Sequence, residues 1–208
     1  MNGFAGDGPP PKGLKKARPA TLLTCETTCP KSARVPHQAK WIRYRSSANL
    51  RSNAVVDQLA RTLRKDESVA WIFADGSSKG GYGAAVVYGD RVDLLAGFTE
   101  PTRTRNVGAE LNGVLLGLRN VEKGSTIAVV CDYMGFVAWY SGNWRIKDPE
   151  VREKIQEARQ IIKDRELVLE RLVHHRGHQE DDSDFTKWNN FADRLAGGEE
   201  QPRTIPRR

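Results

Sequence analysis

Five consecutive apolar residues, Ile127 to Cys131, constrain the fold of this chain more than any other feature. The run has the length of a β-strand, but it lacks the alternation of polar and apolar residues shown by a strand with one solvent-exposed face. Such a strand is normally covered on both faces by helices. The run therefore predicts a central strand of an α/β domain.

The residues around this run alternate between strand patterns and helix patterns. They predict, in chain order, strands at Val69 to Ala74, Gly83 to Tyr88 and Arg91 to Phe98, a helix with an apolar stripe from Leu111 to Leu118, the central strand, helices at about 133–141 and 149–163, a strand at Leu167 to Val173 and a short helix at Asn189 to Ala196. The turn residues Gly89 and Asp90 make the second and third strands a hairpin. The order βββαβααβα indicates an α/β domain with a mixed sheet.

Positive charge is concentrated at the front of the chain. Residues 1–65 carry 13 basic and 3 acidic side chains, whereas residues 66–208 carry 20 and 23. Residues 1–52 lack periodicity and predict a disordered basic arm, and residues 53–66 have the spacing of an amphipathic helix or linker. The body is expected at 67–198 and a tail at 199–208. An arm of this charge suits a polyanion such as nucleic acid, or an anionic membrane surface.

Several classes of protein do not fit this sequence. The longest apolar stretch, Val69 to Ala74, has six residues, whereas a helix needs about 20 to cross a bilayer. The first residues lack the apolar core of a secretory signal. Three cysteines, an odd number, argue against a disulfide scaffold and for a reducing compartment. We expect an intracellular, cytoplasmic monomer without a membrane partner.

Four carboxylates occupy positions that can meet at one edge of the sheet. Asp75 ends the first strand, Asp132 ends the central strand, Glu110 opens the first long helix and Asp193 lies in the last helix. Clustered carboxylates repel one another unless a cation neutralises them, and oxygen ligands favour Mg²⁺ or Mn²⁺ over zinc. Each acid also has an ordinary explanation, as a turn residue, a partner of the helix macrodipole or a solvated side chain.

Two clusters of zinc-binding residue types are weaker signals: His174, His175 and His178 before the last helix, and Cys25, Cys29 and His37 in the arm. Neither has a complete set of four ligands at the usual spacing. Cys131 is expected to be a small buried hydrophobe.

The chemistry-bearing segments follow the order of a known family. They are Ala74-Asp-Gly-Ser77 with Gly80-Gly-Tyr-Gly83, Arg105-Asn-Val-Gly-Ala-Glu110, Cys131-Asp-Tyr-Met-Gly135 with Gly142-Asn-Trp144, Arg176-Gly-His178, and Trp188-Asn-Asn-Phe-Ala-Asp-Arg-Leu195. Together they resemble the successive motifs of type 1 ribonuclease H over about residues 69–197, closest to the branch with an Asp-Tyr-x-Gly motif. The resemblance implies a ribonuclease H-like fold, a five-stranded mixed sheet in the order βββαβαβα with helices on its faces.

The resemblance also implies a catalytic machinery. Asp75, Glu110, Asp132 and Asp193 would bind two Mg²⁺ ions, with Mn²⁺ as the alternative metal, and hydrolyse the RNA strand of an RNA–DNA hybrid to leave 5′-phosphate and 3′-hydroxyl ends. His178 matches the loop histidine that assists proton transfer or product departure. His175 is the runner-up for that role, and a capping or core histidine is the plain alternative.

Other positions match residues that read the hybrid. Backbone groups of Gly76 and Ser77 and the side chain of Asn106 match positions that sense 2′-hydroxyls, although Asn106 also suits a helix N-cap. Trp139, Tyr140 and Trp144 lie where the family grips the DNA strand, or they belong to the core: both interpretations are open.

Two other functions use the same fold. A non-catalytic binding or assembly component would tolerate the loss of at least one metal-binding acid, and none is missing here. A DNA nuclease would keep the acids but not the Gly-Ser and Asn positions, which are present. The sequence therefore favours a ribonuclease H with a basic nucleic-acid-binding arm.

Overall fold

The computed structural model describes residues 40–42, 67–175 and 183–207. The strands are β1 (Lys40–Ile42), β2 (Val69–Gly76), β3 (Gly81–Val87), β4 (Arg91–Phe98), β5 (Thr126–Cys131), β6 (Val168–His174) and β7 (Arg203–Pro206). The helices are α1 (Asn106–Asn120), α2 (Met134–Tyr140), α3 (Pro149–Asp164) and α4 (Asp184–Gly197). None of these helices is long and apolar enough to cross a membrane.

The strands form one mixed sheet in the order β1-β6-β5-β2-β3-β4-β7. The pairs β1–β6, β6–β5 and β5–β2 are parallel, whereas β2–β3, β3–β4 and β4–β7 are antiparallel. Strand β5 lies between β6 and β2, and all of Ile127 to Cys131 is buried. The prediction of an α/β domain with a mixed sheet around this strand is confirmed.

Alternate residues of the central strand belong to two different cores. Ile127 and Val129 pack in a cluster with α1, α2 and α3, whereas Ala128 and Val130 pack in a cluster with α4. This division follows from the period of two residues in a β-strand, which sends neighbouring side chains to opposite faces. Helices therefore cover both faces of β5, as its uninterrupted apolar sequence requires.

The sheet has two more strands than the five that were predicted. Strand β1 pairs with β6 within the residues expected to be disordered, and β7 pairs with β4 within the expected tail. Both strands are short, with three and four residues, and β7 ends in a proline. Neither carries a pattern long enough to be detected. The predicted helix at 53–66 and the rest of the arm lie outside the described residues.

Helix α1 begins earlier than the apolar stripe indicated. Its first residue is Asn106, so Glu110 is its fifth residue and does not open the helix. The explanation of Glu110 by the helix macrodipole is wrong, because that interaction is confined to the first turn.

Helix α4 also begins early, at Asp184 and not at Asn189. The hydroxyl of Ser183 caps it by accepting a hydrogen bond of 3.2 Å from the backbone N–H of Thr186. Phe185 is buried and extends the apolar stripe by one turn. Residues 184–188, which precede the predicted start of this helix, are therefore helical.

Candidate active site

Three of the four predicted acids meet at the carboxyl ends of β2 and β5. Ala74 pairs with Cys131 in the parallel register, so Asp75, the next residue of β2, lies level with Asp132, the first residue after β5. Glu110 reaches the same place from α1, and one carboxylate oxygen of each acid lies within 4.8 Å of the other two. We call Asp75, Glu110 and Asp132 the acid cluster.

Two glycines allow α1 to approach β2 closely enough for Glu110 to join the acid cluster. A Cβ atom on Gly76 would lie 2.1 Å from the backbone nitrogen of Glu110. A Cβ atom on Gly113 would lie 2.7 Å from the carbonyl oxygen of Asp75. Real Cβ atoms do not approach backbone so closely, so helix and strand touch only because these side chains are absent.

We expect Gly76→Ala to push α1 away from β2. Inserting a methyl group into this packed contact should lower the free energy of unfolding by about 1–3 kcal/mol and separate Glu110 from Asp75. Urea unfolding and Mn²⁺ titration measure the two effects. Gly197→Ala is the control, because its added Cβ atom meets only the Glu199 side chain, at 3.7 Å. Equal stability of the two variants would contradict the close-contact interpretation.

Burial and mutual repulsion make the acid cluster costly to ionise. Burial, followed by the charge of Asp132, raises the pKa of the Asp75 carboxyl to about 7. Burial, followed by the charges of Asp75 and Asp132, raises the pKa of Glu110 to about 10. Glu110 Oε2 is also buried and has no hydrogen-bond partner among the described residues. The cluster therefore has acceptor oxygens and negative charge that a cation would satisfy.

Asp193 stays outside the group of carboxylate oxygens that lie within 4.8 Å of one another. Its charge nevertheless reaches them, because it contributes to the raised pKa of both Asp75 and Glu110. Gly83, which pairs with Asp75 in the β2–β3 ladder, lets α4 approach: a Cβ atom there would lie 2.5 Å from the carbonyl oxygen of Ala192. The fourth acid is thus next to the cluster but not part of it.

The raised pKa values predict how the stability of the metal-free protein depends on pH. The folded state binds protons more tightly than the unfolded state, in which the ordinary pKa values are 3.8 for Asp75 and 4.5 for Glu110. Stability should therefore fall as the pH rises from about 4 to about 7, and further as Glu110 ionises. We expect Tm in EDTA to fall by several degrees over this range.

Mg²⁺ should offset that loss, because a cation binds the ionised carboxylates. The Mg²⁺-induced rise in Tm should be larger at about pH 8 than at about pH 5. Glu110→Gln, which removes the group with the higher pKa, should flatten the pH dependence in EDTA. A Tm in EDTA that rises with pH between about 4 and 7 would contradict this prediction.

The Asp-Tyr-x-Gly motif has a steric explanation. A Cβ atom on Gly135 would lie 2.2 Å from the ring of Tyr133, so any other residue there would require the ring to move. Burial raises the pKa of the Tyr133 phenol, and the charge of Glu110, a member of the acid cluster, raises it further. Tyr133 was not among the predicted site residues. Its position directly after Asp132 is the sequence signal by which it could have been found.

The backbone N–H groups of Gly76 and Ser77, in the turn that follows β2, both donate hydrogen bonds within the protein. The Gly76 N–H donates to Asp75 Oδ1 at 2.6 Å, and the Ser77 N–H donates to the Gly81 carbonyl at 2.8 Å. The oxygens of Gly76 and Ser77 and the Ser77 hydroxyl therefore remain for a ligand hydroxyl, whereas both backbone donors are engaged.

Asn106 is exposed at the start of α1, four residues before Glu110. The N-cap position belongs to Arg105, with φ 44°, and no side chain caps the helix. The interpretation of Asn106 as an N-cap is therefore wrong, and its side chain faces solvent on the helix that carries Glu110.

The neighbouring histidines His174 and His175 lie in different environments. His175 is buried, its Nε2 lies 3.4 Å from the Thr186 hydroxyl and its ring packs edge-on against Phe185. It is a core histidine, which argues against its role as the runner-up for the catalytic loop. His174 Nε2 instead contacts the backbone carbonyl of Asp132 at 2.8 Å, so the two rings do not form a zinc-binding pair. His178 and the Cys25–Cys29–His37 cluster lie outside the described residues.

A groove of about 340 Å³ lies between the start of α1, the end of α2 and the start of α3. We call it the basic groove; its lining includes Arg103, Trp139, Arg145 and Lys147. Arg103 forms an ion pair with Asp148, which leaves an excess of positive charge.

The three aromatic residues with open roles divide between core and surface. Trp139 and Tyr140 are half-buried against the core shared with α1 and α3, and Trp139 also lines the basic groove. Trp144 is 47% exposed and meets the Trp139 ring at 6.4 Å.

Cys131 is buried, as expected, and burial raises the pKa of its thiol well above the ordinary value.

The model of the RNase H family matches residues 67–200, about two thirds of the chain. The chain belongs to the RNase H family. Strands β1 and β7 lie outside the matched region, so the five strands of the predicted sheet are the ones inside it.

Solved structures of RNase H proteins are similar to this chain. The N-terminal RNase H domain of Rv2228c from Mycobacterium tuberculosis, solved as a fusion with maltose-binding protein, is 22% identical over 64% of this chain and 93% of that one, with a TM-score of 0.45. RNase H1 from Halobacterium salinarum is 20% identical over 63% and 95%, with a TM-score of 0.46. LC11-RNase H1, solved in complex with an RNA/DNA hybrid, is 17% identical over 62% and 94%, with a TM-score of 0.47. A search of curated proteins gives no match. The family assignment rests on the match to the family model.

Proposed function

We propose that this chain is a metal-dependent ribonuclease that hydrolyses the RNA strand of RNA–DNA hybrids. The observation that carries the proposal is the acid cluster, three carboxylates within 4.8 Å in a member of the RNase H family. Burial and repulsion raise the pKa values of Asp75 and Glu110, so the arrangement destabilises the ionised protein. A binding site for cations gives such an arrangement a function.

The donor set fits Mg²⁺ or Mn²⁺. All three side chains offer oxygen ligands, and the buried, unpartnered Oε2 of Glu110 is directed at no protein donor in the described residues. Asp193, whose charge reaches the cluster, would provide a further ligand for a second ion. Two ions bound there would supply the positive charge that activates a water and neutralises the leaving 3′-oxygen.

The residues of the protein hold and orient the substrate beside that centre. Asn106 and the oxygens of Gly76 and Ser77 would receive the RNA strand and sense its 2′-hydroxyls. The basic groove would receive the phosphates and sugars of the DNA strand. Tyr133, whose ring lies 5.6 Å from that of Trp139 and whose phenol has a pKa raised in part by the charge of Glu110, would connect the two surfaces.

The test is Mg²⁺-dependent cleavage of a hybrid, a double-stranded RNA and a double-stranded DNA of one sequence, with the product ends identified. We expect cleavage of the hybrid alone, leaving 5′-phosphate ends on RNA. Preferred cleavage of double-stranded DNA would replace this proposal with a DNA nuclease. Binding of the hybrid and of metal without any cleavage would indicate a non-catalytic component.

His178→Ala is expected to lower kcat by roughly 10²-fold without abolishing cleavage, the typical contribution of a positioned proton carrier. The charge of the metal centre would remain and supply most of the transition-state stabilisation. Single-turnover and steady-state rates on one hybrid distinguish slower chemistry from slower product release. If His178→Ala had no effect on either rate, the match of His178 to the family's loop histidine would be wrong.

A further inference from the structure

His174 makes a contact that none of the roles above uses. It is the last residue of β6 and pairs with Cys131 in the parallel register. Its ring reaches one residue further along the neighbouring strand, where Nε2 lies 2.8 Å from the backbone carbonyl oxygen of Asp132. The side chain therefore contacts the main chain of one of the three acids in the cluster.

The Asp132 carbonyl lies between two regular hydrogen-bonding systems. At the end of the β5–β6 pair, the His175 N–H donates a hydrogen bond of 3.0 Å to the Cys131 carbonyl. The first bond of the α2 turn runs from the Phe136 N–H to the Tyr133 carbonyl at 3.3 Å. His174 supplies a donor to the carbonyl between them, and this bond orients the peptide plane that follows Asp132.

The direction of the bond also determines the state of the His174 ring. A carbonyl oxygen only accepts, so Nε2 carries the hydrogen. Nδ1 is buried and has no partner among the described residues. Within the described part of the chain the ring thus makes one hydrogen bond, and that bond goes to the residue whose carboxylate completes the acid cluster.

We propose that His174 is a positioning residue: its Nε2–H holds the backbone of Asp132 so that the carboxylate meets those of Asp75 and Glu110. The inference rests on the proposed function in one respect, that the acid cluster binds a divalent ion. Partners that orient metal ligands typically contribute 10-fold to 100-fold to metal affinity or activity. His174 would act on the metal site without touching metal or substrate.

The experiment is a calorimetric titration of the metal-free, full-length protein with Mn²⁺. Four proteins are compared: wild type, His174→Phe, His174→Gln and His174→Asn. Phenylalanine keeps a ring but has no donor, the Gln amide nitrogen can reach the position of Nε2, and the Asn amide is one methylene too short. We expect about 10-fold weaker Mn²⁺ binding or more for His174→Phe and His174→Asn, and recovery to within about 3-fold of wild type for His174→Gln.

The pair of amide variants keeps the test valid if His174→Phe does not fold, because Gln and Asn differ only in reach. A merely structural role would lower Tm in both without separating their Mn²⁺ affinities. Equal Mn²⁺ affinity of His174→Gln and His174→Asn would overturn the inference. Assays on a hybrid add a second readout: kcat should follow the Mn²⁺ affinity, while KM for the hybrid changes less than about 3-fold.

The two proposals fail in different ways. Wild-type protein that binds Mn²⁺ but cleaves no hybrid would contradict the proposed function, and the difference between His174→Gln and His174→Asn would still support positioning. Cleavage of hybrids with no difference between those variants would leave the function and overturn the role of His174. A wild-type protein that binds no Mn²⁺ would overturn both.

Discussion

Asp132→Asn should abolish hybrid cleavage while leaving the fold and hybrid binding nearly intact. The amide keeps the volume of the side chain but removes a charge that a divalent ion needs, and the ions supply most of the expected transition-state stabilisation. We expect a loss of at least about 10³-fold in kcat, with little change in the Kd for the hybrid. Turnover at saturating Mg²⁺ and binding in Ca²⁺ or EDTA measure the two quantities.

Asp132→Asn should also stabilise the metal-free protein, although it abolishes activity. The charge of Asp132 raises the pKa values of both Asp75 and Glu110, so its removal reduces repulsion in the metal-free protein. Tm in EDTA at neutral pH should therefore rise as activity disappears. Asp90→Asn is the control, because Asp90 is an exposed turn residue with a side chain 82% exposed. Unchanged turnover of Asp132→Asn at saturating Mg²⁺ would contradict the catalytic assignment.

Removing the front of the basic arm should weaken hybrid binding and make it less sensitive to salt. Because β1 pairs with β6, the deletion should end at residue 39 and keep Lys40–Ile42. It removes six basic side chains: Lys12, Lys15, Lys16, Arg18, Lys31 and Arg34. Each phosphate contact adds about 0.7–0.9 to the slope of log affinity against log salt, so up to about four to five slope units would be lost.

Binding of one hybrid by the full-length and shortened proteins is compared at about 50 and 200 mM salt. The full-length protein should lose up to about 10³-fold more affinity over that interval than the shortened one, at equal kcat. A full-length variant with the six basic residues changed to glutamine controls for chain length and should match the deletion. Equal salt slopes would remove the nucleic-acid role from residues 1–39 and leave protein docking or targeting as the explanation.

Features encoded in neighbouring residues could be predicted from the sequence. The apolar run from Ile127 to Cys131 identified the central strand, because a strand covered on both faces has no polar positions. The hairpin followed from its turn residues, and α1 followed from the helical spacing of its apolar residues. Both are patterns of residues close together in the chain. Four acids were expected to meet at one edge of the sheet, because side chains at adjacent strand ends share that edge, and Asp75, Glu110 and Asp132 do so.

Features that depend on distant residues were decided only by the tertiary structure. Strands β1 and β7 form because open sheet edges accept short segments that carry no pattern of their own. Asp193 looks equivalent to the other acids in sequence, yet the packing of α4 leaves it outside the 4.8 Å cluster.

The two histidines at the end of β6 show most directly how distant residues decide the role of a side chain. His174 and His175 are adjacent and chemically identical, and only His175 was singled out from the sequence, as the runner-up for the catalytic loop. In the structure one contacts the Asp132 carbonyl and the other is buried against Phe185. The sequence determined that two histidines stand at the end of β6. The role of each depended on its neighbours in the tertiary structure, because consecutive side chains of a strand point to opposite faces of the sheet.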